Sequence, residues 1–260
     1  MAFKSPYSLS PLFDRPIFHV APKRGWVNDP NGPFFYKGFY HLFFQHLPEG
    51  CMWNFGLVWG HAVSQDLVNW EMLAPALVPT PGGLDQDGCF SGCATIDTDG
   101  RPIILYTGVR LRASETSGPQ PPPECDLKLP FIESQLAAYP SDLEDPKLEE
   151  WTKVEFPWLT LPPPGMDLGG WRDPYLIGRP GDGGEKVWTL LIGSGVKHLG
   201  GVVLKYQSEN LLYGWKLVGE LCDGRGRIQE TGCIWECPLL CRVQRKTRSG
   251  GMRRGGGRRG

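Results

Sequence analysis

The sequence predicts an all-β fold assembled from repeated, blade-like sheets, and three observations carry that expectation. Glycine and proline are dense, at 35 and 25 among 260 residues, and breakers at that density leave little room for long helices. Aromatic residues reach 12%, which favours strands. One pattern also occurs three times: a strand-like run ending in serine, an Asp or Asn followed by leucine, then a tryptophan.

The repeated endings are WGHAVSQDLVNW, QLAAYPSDLEDPKLEEW and GVVLKYQSENLLYGW, anchored at Ser64, Ser141 and Ser208. In each, the serine and the Asp or Asn suit a turn capped by its own side chains, after which the tryptophan opens another strand. Hairpin signals lie upstream. In FFYKGFYHLFF, Lys37-Gly38 supplies a two-residue turn, and in ATIDTDGRPIILYTG, Asp99-Gly100 supplies another. Each unit therefore reads as several antiparallel strands. Units too small to bury a core alone point to β-propeller blades round a central axis, with three blades finished and a fourth beginning near Trp235. A β-sandwich with coincidental Ser/Trp similarities is the alternative. Between Leu111 and Glu133, the segment containing SGPQPPPE reads as an insertion on a loop inside the second unit.

Composition bounds the rest. At 40% hydrophobic content the chain can bury one sizeable core, which excludes disorder of the whole. From Arg242 onward there are eight basic residues and no acid, so the remaining chain carries nine more acids than bases. The divisions expected are a lead-in over 1–25, a blade-containing module over 26–241 and a basic, Gly/Arg-rich disordered tail over 242–260. The tail suits a translated intron or a frame-shifted end; an RNA-binding arm is the alternative, though it lacks interleaved aromatics. Nucleic acid is otherwise an unexpected partner. No run approaches the roughly 20 apolar residues of a membrane helix. MAFKSPYSLSPLFDRP lacks the apolar centre of a secretory signal, which suits a cytoplasmic protein as written and an extracellular or vacuolar one if the start is missing. Eight cysteines without an Asn-x-Ser/Thr site do not form a dense disulfide framework. Cys233, Cys237 and Cys241 recur every four residues, but without a fourth ligand they imply no metal.

Four short polar motifs open the units: WVNDPNG at Trp26 to Gly32, DGCFSG at Asp87 to Gly92, GWRDP at Gly170 to Pro174 and WECP at Trp235 to Pro238. In a propeller the innermost strands converge, so Asp29, Asp173 and Glu236 are expected to share one pocket. Clustered carboxylates are electrostatically costly, which points to function. A pair about 5–5.5 Å apart performs retaining glycoside hydrolysis, one attacking the anomeric carbon and the other protonating the departing oxygen. A third negative charge nearby would help keep Glu236 protonated. Plainer readings stand beside this one: Asn-Asp-Pro-Asn-Gly is good turn chemistry, and Arg172-Asp173 could be a surface ion pair. His41, His46 and His61 sit among aromatic strand residues and read as packed or hydrogen-bonded groups.

WVNDPNG, FFQ at Phe43 to Gln45, WGHAVSQDLVNW, FSG at Phe90 to Gly92, WRDP and WEC occur in the order found in glycoside hydrolase family 32 (β-fructofuranosidases, inulinases and levanases), which the chain resembles from about Trp26 to about Leu239. The resemblance implies a five-bladed propeller, of which about three blades and the start of a fourth are expected here, and a retaining hydrolase of terminal β-D-fructofuranosides that needs no cofactor. It makes Asp29 the nucleophile, Glu236 the general acid and base, and Asp173 the residue that holds the fructose hydroxyls, with Arg172 beside it. Asn28, Gln45, Trp53, Phe90 and Ser91 match sugar-binding positions, and Trp26 is expected to wall the pocket. The substrate would be sucrose or a fructan. Rival expectations are a propeller glycosidase of another furanoside and a carbohydrate-binding fragment without turnover. Two departures from the family pattern are the stop within the fourth blade and the basic tail.

Overall fold

The computed structural model describes residues 19–113 and 120–241. They form three antiparallel four-stranded sheets, each a meander with its strands in chain order. Sheet one holds β1 (Trp26–Tyr36), β2 (Phe39–Leu47), β3 (Val58–Ser64) and β4 (Glu71–Met72); sheet two holds β5 (Gly88–Ile96), β6 (Pro102–Leu111), β7 (Phe131–Pro140) and β8 (Trp151–Lys153). Sheet three holds β9 (Leu168–Gly178), β10 (Trp188–Val196), β11 (Gly200–Ser208) and β12 (Lys216–Asp223). The first strands of the sheets pack side by side, β1 on β5 and β5 on β9. This is propeller architecture, three four-stranded blades with their first strands side by side, and it excludes the sandwich alternative.

The repeated endings are the joints between third and fourth strands. Ser64 Oγ accepts the backbone N–H groups of Asp66 and Leu67 at 3.1 and 2.8 Å, and Asp66 Oδ1 accepts those of Val68 and Asn69. In the third blade Ser208 Oγ accepts Asn210 N–H at 3.1 Å and Asn210 Oδ1 accepts Leu212 N–H. The tryptophan then locks the turn. Trp70, Trp151 and Trp215 donate their indole N–H to Leu67, Leu148 and Leu211 carbonyls at 3.2, 2.8 and 3.0 Å. Lys37 and Gly38, with φ of 41° and 91°, make a two-residue hairpin between paired Tyr36 and Phe39, the geometry that suits the twist of the flanking strands. The second hairpin differs from expectation: between Ile96 and Pro102 runs a five-residue loop, because the buried Asp97 carboxylate caps the N–H groups of Asp99 and Arg101. The connection after Leu111 joins neighbouring strands of one sheet, as an insertion on a loop does; its residues 114–119 lie outside the described residues, as do 1–18 of the lead-in and the basic segment 242–260.

Two apolar layers hold the blades together. Phe43, Trp59, Leu77, Ile104, Tyr106 and Leu136 fill the space between sheets one and two, and Ile103, Leu105, Trp158, Trp171, Trp188, Leu190 and Leu204 fill that between sheets two and three. Burying one such large side chain contributes about 1.5–3 kcal/mol. Ile103, Ile104, Leu105 and Tyr106 of β6 are all fully buried, since their side chains alternate between the two layers. The buried imidazoles of His41 and His61 face each other at 3.1 Å, stacked on Phe34 and Phe43.

Beyond β12 no fourth sheet is formed among the described residues; the WECP segment meets β10 through a single bridge, Trp235 to Ser194. Glycines let it come close. A Cβ on Gly195 would lie 1.9 Å from the Cys233 carbonyl oxygen, and one on Gly193 would lie 2.5 Å from that of Trp235. The Trp235 ring covers Gly201 and Gly224, and its N–H donates to Thr231 O at 2.8 Å. Glu236 is thereby carried across the face of the third blade towards its first strand.

Candidate active site

Asp29 and Asp173 sit where regular strand geometry breaks, and Glu236 lies outside the strands. Asp29 lies in the interruption of β1–β2 register between Val27 and Pro30. There Ser91 Oγ donates to Asp29 Oδ2 at 2.8 Å, and the Cys237 thiol approaches the same oxygen at 3.6 Å. Burial, with Asp173 and Asp29 adding to it, pushes the Cys237 thiol well above the ordinary range, so the sulfur keeps its proton and donates. Oδ1 of Asp29 receives no hydrogen bond among the described residues. Gly32 allows this strand to approach its neighbour: a Cβ there would stand 2.7 Å from Ala94.

Asp173 has φ of 62°, left-handed backbone at a non-glycine residue, opposite the register break between Leu191 and Gly193. Its N–H donates to Thr107 Oγ1 at 3.1 Å, and its Oδ2 accepts the Cys237 N–H at 2.9 Å. The residue is 5% exposed. Burial is the main cause that lifts its carboxyl to about 7, against the pull of the Cys237 N–H and Arg172; Glu236 and Glu133 add to the rise.

Glu236 stands at the rim, its side chain 61% exposed, held by Arg172, whose side chain is 12% exposed. Both bonds, from Nε at 3.1 Å and Nη2 at 2.8 Å, end on Oε1. The other end of the guanidinium, Nη1, binds buried Glu133 Oε1 at 2.7 Å. Arg172 is thus no surface ion pair with Asp173 but a strut between two glutamates.

A cavity of about 390 Å³ joins these groups: Asn28, Asp29, Gln45, Trp53, Phe90, Ser91, Arg172, Asp173 and Glu236 line it. Gln45 Nε2 donates to the Cys89 carbonyl at 2.9 Å. Trp26 is the predicted residue that is not among the lining side chains; its indole N–H donates to Asn28 Oδ1 at 2.7 Å and so orients the asparagine instead. Three lining residues had no signal in the sequence: Phe55, Leu57 and Phe131. Phe55 stacks near Phe90 with centroids 6.3 Å apart and meets Trp53 and Phe131 at 5.3 and 6.0 Å. One wall is therefore aromatic and the other carries carboxylates, the combination that suits a ring with one apolar face and a rim of hydroxyls. Cys237 was also missed as a functional group; its place directly after Glu236 was the available clue. Among the described residues no group of three or more His, Cys, Asp or Glu side chains is placed to hold a metal.

The sequence matches the glycosyl hydrolases family 32 N-terminal domain over residues 19–254. It is 38% identical over 229 residues to "Beta-fructofuranosidase, insoluble isoenzyme CWINV6" of Arabidopsis thaliana, an alignment that takes in 87% of this chain and 37% of that protein. Among solved structures, a variant of fructan 1-exohydrolase IIa from Cichorium intybus in complex with 1-kestose superposes with a TM-score of 0.68 at 35% identity, covering 86% of this chain and 37% of that one. A variant of the Bombyx mori GH32 beta-fructofuranosidase BmSUC1 in complex with sucrose gives a TM-score of 0.68 at 30% identity, covering 88% and 42%. The chain thus spans little more than a third of the length of the plant proteins it matches.

Proposed function

The chain belongs to glycosyl hydrolases family 32, and on that premise we propose that it carries the catalytic carboxylates of an enzyme that hydrolyses terminal β-D-fructofuranosides with retention of configuration. The observation that supports this most directly is the meeting of Asp29, Asp173 and Glu236, from widely separated positions in the sequence, at one cavity with an aromatic wall. Relatives crystallised with 1-kestose and with sucrose make a terminal fructosyl group the expected ligand.

In the proposed reaction Asp29 attacks C2 of the fructosyl unit while Glu236 gives its proton to the departing oxygen, so that the C2–O bond breaks and a fructosyl ester forms. Water then attacks C2, Glu236 takes its proton, and Asp29 leaves. Ser91 and Cys237 donate to one oxygen of Asp29, which fixes the carboxylate for attack through the other. Asp173, buried and bound on one oxygen by Cys237 N–H, has its second oxygen available for sugar hydroxyls, where bonds strengthen as water is excluded.

The test is fructose release from sucrose and 1-kestose by the purified chain, with the first-formed anomer read by NMR. Retention is expected. Asp29→Asn should lower kcat by at least about a thousandfold while leaving sugar affinity within a few-fold, because the amide keeps the shape but cannot attack. Fructose binding without release by the parent chain would mark it as a binding module, and release from an arabinofuranoside alone would change the substrate class.

A further inference from the structure

The strut formed by Arg172 raises a chemical problem for the proposed reaction. Glu236 must give up a proton when it acts as the acid, yet the group that holds it is a cation, the guanidinium at 2.8 Å from its Oε1. The residue that answers this lies outside the proposed catalytic set. Glu133 comes from β7, the third strand of sheet two, and reaches across to the first strand of sheet three. Its side chain is 1% exposed. Oε1 accepts from Arg172 Nη1 at 2.7 Å and Oε2 accepts from the Trp171 backbone N–H at 2.6 Å. Donors on both oxygens are the pattern of a carboxylate, and the backbone bond fixes that charge relative to β9.

We infer that Glu133 is a positioning residue that offsets the charge of Arg172, so that the guanidinium holds Glu236 in place by hydrogen bonds without fixing it in the ionised form. Three features agree with this role. The guanidinium divides its donors, Nη1 to Glu133 and Nε with Nη2 to Glu236. Both bonds to Glu236 end on Oε1, and Oε2 receives none among the described residues, so one oxygen remains for the proton. The groups around Glu236 are Arg172 and Asp173 from β9, Asp29 from β1, the adjoining Cys237 and, behind Arg172, Glu133 from β7. Of these only Arg172 is a cation, and only Glu133 is bound to the side of it that faces away from Glu236. Burial raises the Glu133 carboxyl, with Arg172 and the Trp171 N–H acting the other way, which sets a lower pH limit on the arrangement.

This inference rests on the proposed glycosidase chemistry, and its test separates the two. The carboxyl titration of Glu236 is followed by carbon NMR in the purified chain and in Glu133→Gln, a variant of the same size without the charge. The midpoint in Glu133→Gln should fall by about one pH unit relative to the parent. The alkaline limb of kcat/KM for 1-kestose should move down with it. Hydrolysis of an aryl β-fructofuranoside, whose leaving group needs little protonation, should stay within a few-fold at neutral pH. A folded Glu133→Gln chain with an unmoved midpoint would overturn the inference. Should that variant not fold, Glu133→Asp keeps the charge while shortening its reach: the midpoint should then stay within a few tenths of a unit while kcat falls, and a drop of a full unit would overturn the inference. A midpoint that falls in Glu133→Gln, with a parent that releases no fructose from any β-fructofuranoside, would leave the Glu133–Arg172–Glu236 relation standing and refute the glycosidase reading instead.

Discussion

Gly201→Ala tests whether the glycine cradle under Trp235 sets the position of Glu236. An added Cβ would lie 2.3 Å from Trp235 Cδ1 and 2.5 Å from Cγ and Nε1, where ordinary contact begins at 3.4 Å. The ring must therefore retreat by about 1 Å, and it has little freedom to rotate: its N–H holds Thr231 O at 2.8 Å, its backbone N–H holds Ser194 O at 3.0 Å, and its far edge lies against Gly224. The displacement passes to the next residue, Glu236. A misplacement of about 1 Å costs on the order of a hundredfold in rate, while overpacking of this kind costs about 1–3 kcal/mol of stability, or roughly 2–4 °C of melting temperature per kcal/mol at this size. The assay is kcat for fructose release from sucrose at saturation, beside a thermal melt. Gly108→Ala is the control: its Cβ would come within 2.4 Å of Leu136 Cδ1 and 2.9 Å of Asp85 Cβ, a comparable clash in the second blade away from Trp235. It should lose similar stability and keep most of its kcat. A Gly201→Ala chain within about threefold of the parent, or a control that loses as much rate, would refute the argument.

Two further predictions concern pH and stability. Asp173→Asn should stabilise the chain at neutral and alkaline pH: because the folded carboxyl is lifted to about 7 from its ordinary value, the contribution of Asp173 to stability is fully present below about pH 4 and is lost as pH rises through 7, by on the order of a few kcal/mol, a loss the amide cannot suffer. Equal denaturant midpoints for variant and parent at pH 8 would contradict this. The buried histidines act with the opposite sign, since burial lowers His41 to about 4 and His61 to about 3. Their contribution is complete above the unfolded value of about 6.5 and is lost as pH falls through 4 and 3, so His61→Phe should flatten the acid side of the stability curve whatever it costs at pH 7; denaturant melts from pH 7 to pH 3 measure it.

The architecture was legible because each blade repeats the same local solution. Ser64 and Ser208 accept backbone N–H groups in the turn, and Trp70, Trp151 and Trp215 donate to a leucine carbonyl three or four residues back, all within one short stretch of chain. The site carboxylates were legible for a related reason, since the polar openings of the units recur at the same place in the blade. What the sequence hid is what one blade does to another. Glu133 looks like a lone acid after an insertion, and nothing local ties it to Arg172, 39 residues away. Phe131 and Phe55 line the cavity from loop and strand ends that carry no pattern. An aromatic beside a sugar motif suggests a wall, but the bond of Trp26 to Asn28 depends on how β1 bends at the interruption after Val27.

That bending has a thermodynamic meaning. Asp173 with φ of 62° and Cys237 with φ of 46° occupy backbone conformations that cost of order 1–3 kcal/mol each and persist only where surroundings over-determine them. Asp173 is held by bonds to Thr107 and Cys237, and Cys237 by those to Asp173 and Asp29, so two strained residues fasten each other. A carboxyl raised by burial adds to the cost, and none of it improves packing. The layers of Trp59, Trp171 and Trp188 offset it by fixing the blades against one another. In this arrangement the stable part of the molecule and the reactive part alternate along the same strands: β9 buries Leu168 and Trp171 and turns Arg172 and Asp173 to the cavity, and β5 buries Cys89 and Cys93 and lends it Phe90 and Ser91. The direction expected for Asp173→Asn follows from this division, because the amide removes a burden that the rest of the fold carries for the site.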